Sequence, residues 1–204
     1  MTRFGLSNLI LMDFDVVSKT NINRQLHALQ SSVGIKKTVV MKERLLAINP
    51  DAEIELMDCF LNQATLDDLM AFHPDAIIDA IDTITAKALL IQTAQQKQIP
   101  IISVMGMGNR FDPTQIEIRK LSRTIEDPLA RVLRELQRSM KFKDIDVVYS
   151  REIPKKQSTI IHVNGMTRKS QQPPGSTPFV PNAAGLAAAS YCVRQLLGRE
   201  DHHE

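Results

Sequence analysis

Two cysteines, no long apolar run and almost no charge imbalance mark this chain of 204 residues, and each shortage removes a class of protein. Cys59 and Cys192 are far apart and form neither a disulfide framework nor a Cys-x-x-Cys zinc pair. No window approaches about 18 continuous apolar residues, so no membrane span is expected. The first residues lack the basic, apolar and small-residue succession of a signal peptide. The expectation is a cytoplasmic protein without structural metal. His202 and His203 lie in a polar tail, which reads as solvated rather than metal-binding. A net charge of +2 excludes a polycation, so any nucleic-acid contact must come from a local patch.

What is present is an ordinary globular composition, 43% apolar and 24% charged, in a chain long enough to bury one substantial core. Residues 8–12 read as a strand. Residues 24–30 read as a short helix, and residues 36–48 as a longer one stopped by Asn49-Pro50. Residues 53–57 alternate like a strand, and residues 64–71 form a short helix. Pro74 opens the buried run Ala76-Ile77-Ile78, which ends at Asp79. Residues 83–98 are helical and residues 100–105 form the next buried strand. This alternation predicts an α/β fold: a mostly parallel, Rossmann-like sheet with helices on both faces.

The character then changes. Residues 115–118 alternate like an antiparallel strand. Residues 128–138 are helical, with Leu129, Val132, Leu133 and Leu136 on one face. Residues 145–149 and 159–163 read as strands, and residues 166–177 as a polar Gly/Pro/Ser loop. Pro181 precedes a small-residue helix that runs to Leu197 and ends at Gly198.

The chemistry-bearing residues follow strand ends. Asp13 ends an apolar strand, where a carboxylate can accept ribose hydroxyls; an ordinary turn aspartate has the same signature. Asn23, Arg24 and Gln25 follow, and arginine grips phosphate oxygens bidentately. The same cluster also suits an exposed polar helix start. Lys36 and Lys37 open a helix, where the dipole disfavours lysine unless an anion is near. Asp82 reads as the N-cap of the next helix, and equally as a magnesium ligand beside phosphates. Residues 119–143 hold eight Lys/Arg against three acids, a local balance of +5. Arg131, Arg134 and Arg138 share one helix face there, an electrostatic footprint for RNA or a solvated face. The segment's single aromatic is Phe142.

Together these stretches resemble the ubiquitin-activating-enzyme superfamily in its ThiF/MoeB branch. The matching pieces are Leu11-Met12-Asp13-Phe14-Asp15, Asn21-Ile22-Asn23-Arg24-Gln25, Gly34-Ile35-Lys36-Lys37 and Ile78-Asp79-Ala80-Ile81-Asp82. Within the branch the chain is most similar to the tRNA threonylcarbamoyladenosine dehydratases. Arg24-Gln25-Leu26-His27-Ala28-Leu29, Asp112-Pro113-Thr114, the segment around Asp127-Pro128-Leu129-Ala130-Arg131, and Val148-Tyr149-Ser150 carry that likeness. The resemblance implies one domain over residues 1–204, with a nucleotide-binding half (1–110) and a substrate-side extension with a C-terminal helix (111–204). It implies ATP and Mg²⁺ as cofactors, tRNA as partner and a homodimer. Asp13 would hold ribose; Asn23, Arg24, Gln25 and Lys37 would hold phosphates; Asp82 would hold magnesium; Arg24 and Asp82 would serve catalysis. A carboxylate on the modified base would be activated at the expense of ATP and then cyclised.

One departure matters. In such folds a glycine-rich phosphate loop precedes the acidic residue by about 20 residues. Neither that loop nor the strand before it precedes Asp13 here. The expectation is that this chain binds ATP weakly or not at all by itself, and that a sheet edge is exposed. Two alternatives follow: a sulfur-carrier adenylyltransferase of the same superfamily, with a sulfur-carrier or sulfur-transfer protein as partner, and a non-catalytic RNA- or protein-binding remnant. A nicotinamide oxidoreductase leaves Arg24 and Asp82 without work.

Overall fold

Alternate residues on three neighbouring strands point into two different cores. Ile77, Ile101 and Val147 pack into one, and Ile78, Ile102 and Val148 into the other. That is the period-two signature of a sheet covered on both faces. A computed structural model describes residues 1–155 and 175–198 with side chains, and residues 158–163 and 166–171 as backbone.

The elements run β1 (Asn8–Met12), α1 (Lys37–Leu46), β2 (Glu53–Met57), α2 (Gln63–Ala71), β3 (Ile77–Asp79), α3 (Ile84–Gln96) and β4 (Ile101–Val104). Then come β5 (Ile116–Lys120), α4 (Pro128–Met140), β6 (Asp146–Ser150), β7 (Ser158–Val163), β8 (Met166–Gln171) and α5 (Phe179–Leu196). β3, β4 and β6 are parallel neighbours, and β5 closes that sheet antiparallel to β6. The antiparallel extension expected after residue 110 is therefore present. β1 and β2 form a separate parallel pair, in register from Asn8↔Glu53 to Met12↔Met57. Among the described residues β1 pairs only with β2 and β3 only with β4, so each keeps an unpaired edge. Their apolar side chains are accordingly half-buried, Leu9 to Met12 and Ile77 and Ile78 alike.

α3 and α4 cover one face through Ala88, Ile91, Ala130 and Leu133. α5 covers the other through Val180, Ala184, Ala188 and Tyr191. The spacing of three and four puts these on one helix stripe, and the alanines let the helix lie close to the strands. α5 starts at Phe179, ahead of the expected Pro181. Proline is tolerated in a first turn because the N–H groups there have no intrahelical acceptor.

Two expected elements are corrected. Residues 24–29 are not helical, and Gln30 only opens a single 3-10 turn. The Arg24 and Gln25 N–H groups both donate to the Asn21 carbonyl, making tight turns, and tertiary hydrogen bonds from this loop to residues 176 and 182 hold it open. Residues 166–177 are not an unbroken loop. β8 pairs antiparallel with β7 from Ser158↔Gln171 to Val163↔Met166. The sequence signal was the Asn164-Gly165 dipeptide, a strong two-residue hairpin marker. Residues 172–174 of that loop lie outside the described residues.

Candidate functional site

In open α/β sheets ligands bind beyond the carboxyl ends of the strands, and the sequence places its acids there. Asp13 follows β1, Asp58 follows β2 and Asp79 closes β3. Asp13 Oδ1 accepts the Asp15 N–H at 2.8 Å, which bends the chain sharply after the strand. Its side chain stays 40% exposed and Oδ2 lies 3.7 Å from Lys37 Nζ.

Lys37 sits in the first turn of α1 and is buried. Its ammonium reaches Asp15 at 2.5 Å. The anion that this helix-terminal lysine requires is thus supplied by the protein itself. The Thr38 hydroxyl donates to Asp58, extending the cluster to β2. Lys36 turns away and donates to the Phe14 carbonyl at 3.0 Å.

The loop at 18–25 is rigidly tied. Buried Asn21 accepts the Ser18 N–H at 2.9 Å. Arg24 donates to the Thr20 carbonyl at 2.8 Å and to Asn23 Oδ1 at 3.1 Å. Asn23 Nδ2 donates to the Ser176 carbonyl at 2.9 Å. Two buried polar atoms here, Gln25 Oε1 and His27 Nε2, have no hydrogen-bond partner. Burial, and then the nearby Lys37 charge, lower the His27 pKa below its ordinary 6.5, against the opposing pull of Asp13. His27 is therefore neutral at pH 7.

At the β3–α3 corner Asp79 Oδ2 accepts from Lys87 Nζ at 2.8 Å and from the Ser103 hydroxyl at 2.6 Å. Lys87 also donates to Ser103 and to the Val104 carbonyl, so its three donors are all used in a fully buried cluster. Asp79 Oδ1 accepts the Ile81 N–H at 3.0 Å and so shapes the turn that carries Asp82. Asp82 is exposed and accepts only the Thr83 hydroxyl, at 3.5 Å. The N-cap of α3 is Thr83, which corrects the capping reading of Asp82. Among the described residues no three His, Cys, Asp or Glu converge as a metal cage.

Arg110, silent in the sequence, is the buried hub of the substrate side. It donates to the carbonyls of Gly106, Glu126 and Glu152 and to Asp127 Oδ2. Asp127 Oδ1 simultaneously caps α4 through the Ala130 N–H at 2.9 Å, with Pro128 in the first turn. Asp112 accepts from the Thr114 hydroxyl and N–H and from Gln115, and these bonds, Thr114 first, hold its pKa below the ordinary carboxylate value.

The three α4 arginines separate in their use. Arg131 and Arg138 are exposed. Arg134 is half-buried and donates to the carbonyls of Leu121 and Thr124 and to the Thr124 hydroxyl. Cys192 is buried in α5, and burial raises its thiol pKa, which suits an inert core residue. A surface depression lined by Met70, His73, Pro74, Lys97 and Ile99 lies before β3 and β4, at the end of the sheet opposite these groups.

An α/β domain with an acid after β1, a buried lysine opening α1 and a polar Asn-Arg-Gln loop defines a nucleotide-dependent enzyme class. The chain belongs to the ThiF family, whose model matches residues 1–204. It is 37% identical over 203 residues to the tRNA threonylcarbamoyladenosine dehydratase of Bacillus subtilis, covering 97% of this chain and 80% of that one. The solved Escherichia coli tRNA N6-threonylcarbamoyladenosine dehydratase in complex with ATP superposes with a TM-score of 0.84 at 32% identity, over 97% of this chain and 79% of that one. The same enzyme has been solved in complex with AMP. The Escherichia coli molybdopterin-synthase adenylyltransferase is 32% identical over 99 residues, only 48% of this chain and 39% of its own length. No helix among the described residues is long and apolar enough to cross a membrane.

Proposed function

We propose that this chain is an ATP-dependent tRNA threonylcarbamoyladenosine dehydratase. The carrying observation is that likeness to the dehydratases runs through both halves of the chain, whereas likeness to the carrier-protein adenylyltransferase covers less than half. The dehydratase segment around Asp127 is moreover a working part of the structure, since Asp127 both caps α4 and pairs with Arg110.

The residues fit a nucleotide. Asp13 keeps an exposed carboxylate oxygen for ribose, with Lys37 3.7 Å from it, and the Asn23-Arg24-Gln25 loop would supply the phosphate contacts. The unpartnered Gln25 Oε1 and His27 Nε2 mark the same place as one still lacking polar partners. Asp82, exposed and nearly unspent, fits magnesium, which takes one or two carboxylates plus phosphate oxygens. Bound ATP with its cation supplies a leaving group to a carboxylate that is otherwise a poor electrophile. Arg24, on a loop already tied by its own hydrogen bonds, would stabilise the charge that develops as that group departs, and Lys37 would join it by exchanging Asp15 for a phosphate oxygen. Cyclisation then releases the activating group, and the net change in the base is loss of one water.

Residues 1–110 carry the nucleotide and residues 111–204 the substrate in this reading. Arg131 and Arg138, with Arg123, Lys141 and Lys143 near them, give the RNA backbone a basic surface. A homodimer would cover the exposed Phe14, Leu26, Leu29, Val33 and Ile35.

The test is direct. The chain is incubated with ATP, Mg²⁺ and tRNA bearing threonylcarbamoyladenosine, and the nucleosides are weighed. A product lighter by one water supports the reading. An unchanged nucleoside, together with an acyl-adenylate formed on a Gly-Gly-terminated carrier protein, replaces it with the adenylyltransferase alternative.

A further inference from the structure

The Asp79 carboxylate is held from inside the protein by one of its oxygens, and the other shapes the turn before Asp82. Asp79 and Ser103 are register partners on β3 and β4. The period of two puts both on the face that α3 covers, beside Ile77 and Ile101. Lys87 reaches them from the start of α3, where the helix dipole disfavours a lysine unless an anion is near. Asp79 is that anion. Its Oδ2 accepts from Lys87 Nζ at 2.8 Å and from the Ser103 hydroxyl at 2.6 Å. Lys87 Nζ also donates to the Val104 carbonyl at 3.1 Å, so one lysine ties the ends of two strands to one helix. All three side chains are buried.

A buried ion pair is a poor source of stability, because desolvating both charges offsets much of their attraction. What this one supplies is geometry. A carboxylate is planar, so two donors on Oδ2 also fix the direction of Oδ1. Oδ1 accepts the Ile81 N–H at 3.0 Å and bends the chain between β3 and α3. Asp82 comes next, exposed, with only the 3.5 Å bond from the Thr83 hydroxyl on its side chain. Its placement therefore depends on the backbone of the 79–82 turn, and that turn depends on Lys87 and Ser103. The turn stands at the carboxyl end of β3, the ligand-binding end of the sheet.

We propose that Lys87 and Ser103 are positioning residues: acting through Asp79, they hold the 79–82 turn so that Asp82 can take the cation of bound ATP. The inference rests on the ATP-dependent dehydratase reading above. Both residues are fully buried, so they act through Asp82 and do not touch the nucleotide themselves.

Ser103→Ala removes one donor to Oδ2 and leaves the ion pair. Lys87→Met alone would strand the Asp79 charge and endanger the fold, so it is paired as Asp79→Leu/Lys87→Met, in which two apolar residues replace the ion pair. Melting curves check the fold of each full-length variant. Amide hydrogen exchange at Ile81, read in the metal-free chain, reports the turn. The Mg²⁺ concentration that gives half-maximal dehydration reports Asp82. Ser103→Ala should melt near the wild type, exchange Ile81 about fivefold to tenfold faster, and need more Mg²⁺ by a similar factor, the effect of one lost hydrogen bond. Its KM for tRNA should stay the same. The paired variant should move exchange and Mg²⁺ requirement at least as far, and Ser103→Ala decides even if the paired variant does not fold. In an Asp82→Ala background, Ser103→Ala should not raise the Mg²⁺ requirement further, because a residue acting through Asp82 then has nothing to act on. Unchanged Ile81 exchange in Ser103→Ala overturns the lock. Faster exchange with an unchanged Mg²⁺ requirement, or an equal rise in the Asp82→Ala background, overturns the positioning role. A wild-type chain without Mg²⁺-dependent dehydration fails the dehydratase reading instead, and the role of Asp82 with it.

Discussion

Arg110 and Asp127 form a buried ion pair, 3.2 Å apart, whose acid also caps α4. One carboxylate thus holds together the loop after β4 and the helix that bears the basic face. Removing either partner leaves a charge in a site that water cannot reach, and such orphaned charges cost about 3–5 kcal/mol.

Asp127→Asn and Asp127→Ala should therefore differ. Asparagine remains a good cap but leaves Arg110 unneutralised, while alanine also loses the cap, worth about 1 kcal/mol. Urea unfolding is expected to order stability as wild type, then Asn, then Ala. Equal stability of all three would show the pair to be energetically idle.

Asp82→Ala should separate activity from stability. The carboxylate is exposed and accepts only a long bond from Thr83, so the melting temperature should not change. If it stabilises charge around the phosphates, turnover falls about 100-fold or more. Unchanged turnover would remove Asp82 from the site.

His27 should make stability pH-dependent. Its folded pKa lies below 6.5, the ordinary value, because burial and Lys37 disfavour the charged ring. As pH falls through 6.5 the unfolded chain gains a proton that the folded chain rejects. Stability is then lost progressively down to the folded pKa, and nothing is lost above 6.5. His27→Gln should flatten that slope relative to wild type in denaturation series across this range. Identical slopes would count against the buried neutral ring.

The α4 arginines should not act alike on RNA. Arg131→Ala and Arg138→Ala should each weaken tRNA binding and reduce its salt slope by about one. Arg134→Ala should lower stability by about 1–3 kcal/mol through the buried acceptors it abandons, with little change in slope. A slope change for Arg134 as large as for Arg131 would contradict the inward placement.

Much of the scaffold was legible in the sequence. The runs at Ile54, Ile77 and Ile101 show their strand character locally, and Asn49-Pro50 stops α1 by local sterics alone. The acids after β1 and β3 were legible for the same reason, since strand ends can be read from where apolar alternation stops. Arg110 was not, because its acceptors come from residues 106, 126, 127 and 152. Nor was Lys87, which looks like any helical lysine until β3 and β4 close around it.

The sequence by itself determined the element types, the candidate acids and the likeness to one family, because these depend on periodicity and short motifs. Only the tertiary structure decided how each polar group is used. Lys37 is neutralised by Asp15, Arg134 is turned inward, and Asn23 is tied to Ser176, 153 residues away. A hydrogen bond is fixed by distance in space, and distance in space between such residues is set by the packing of the whole sheet.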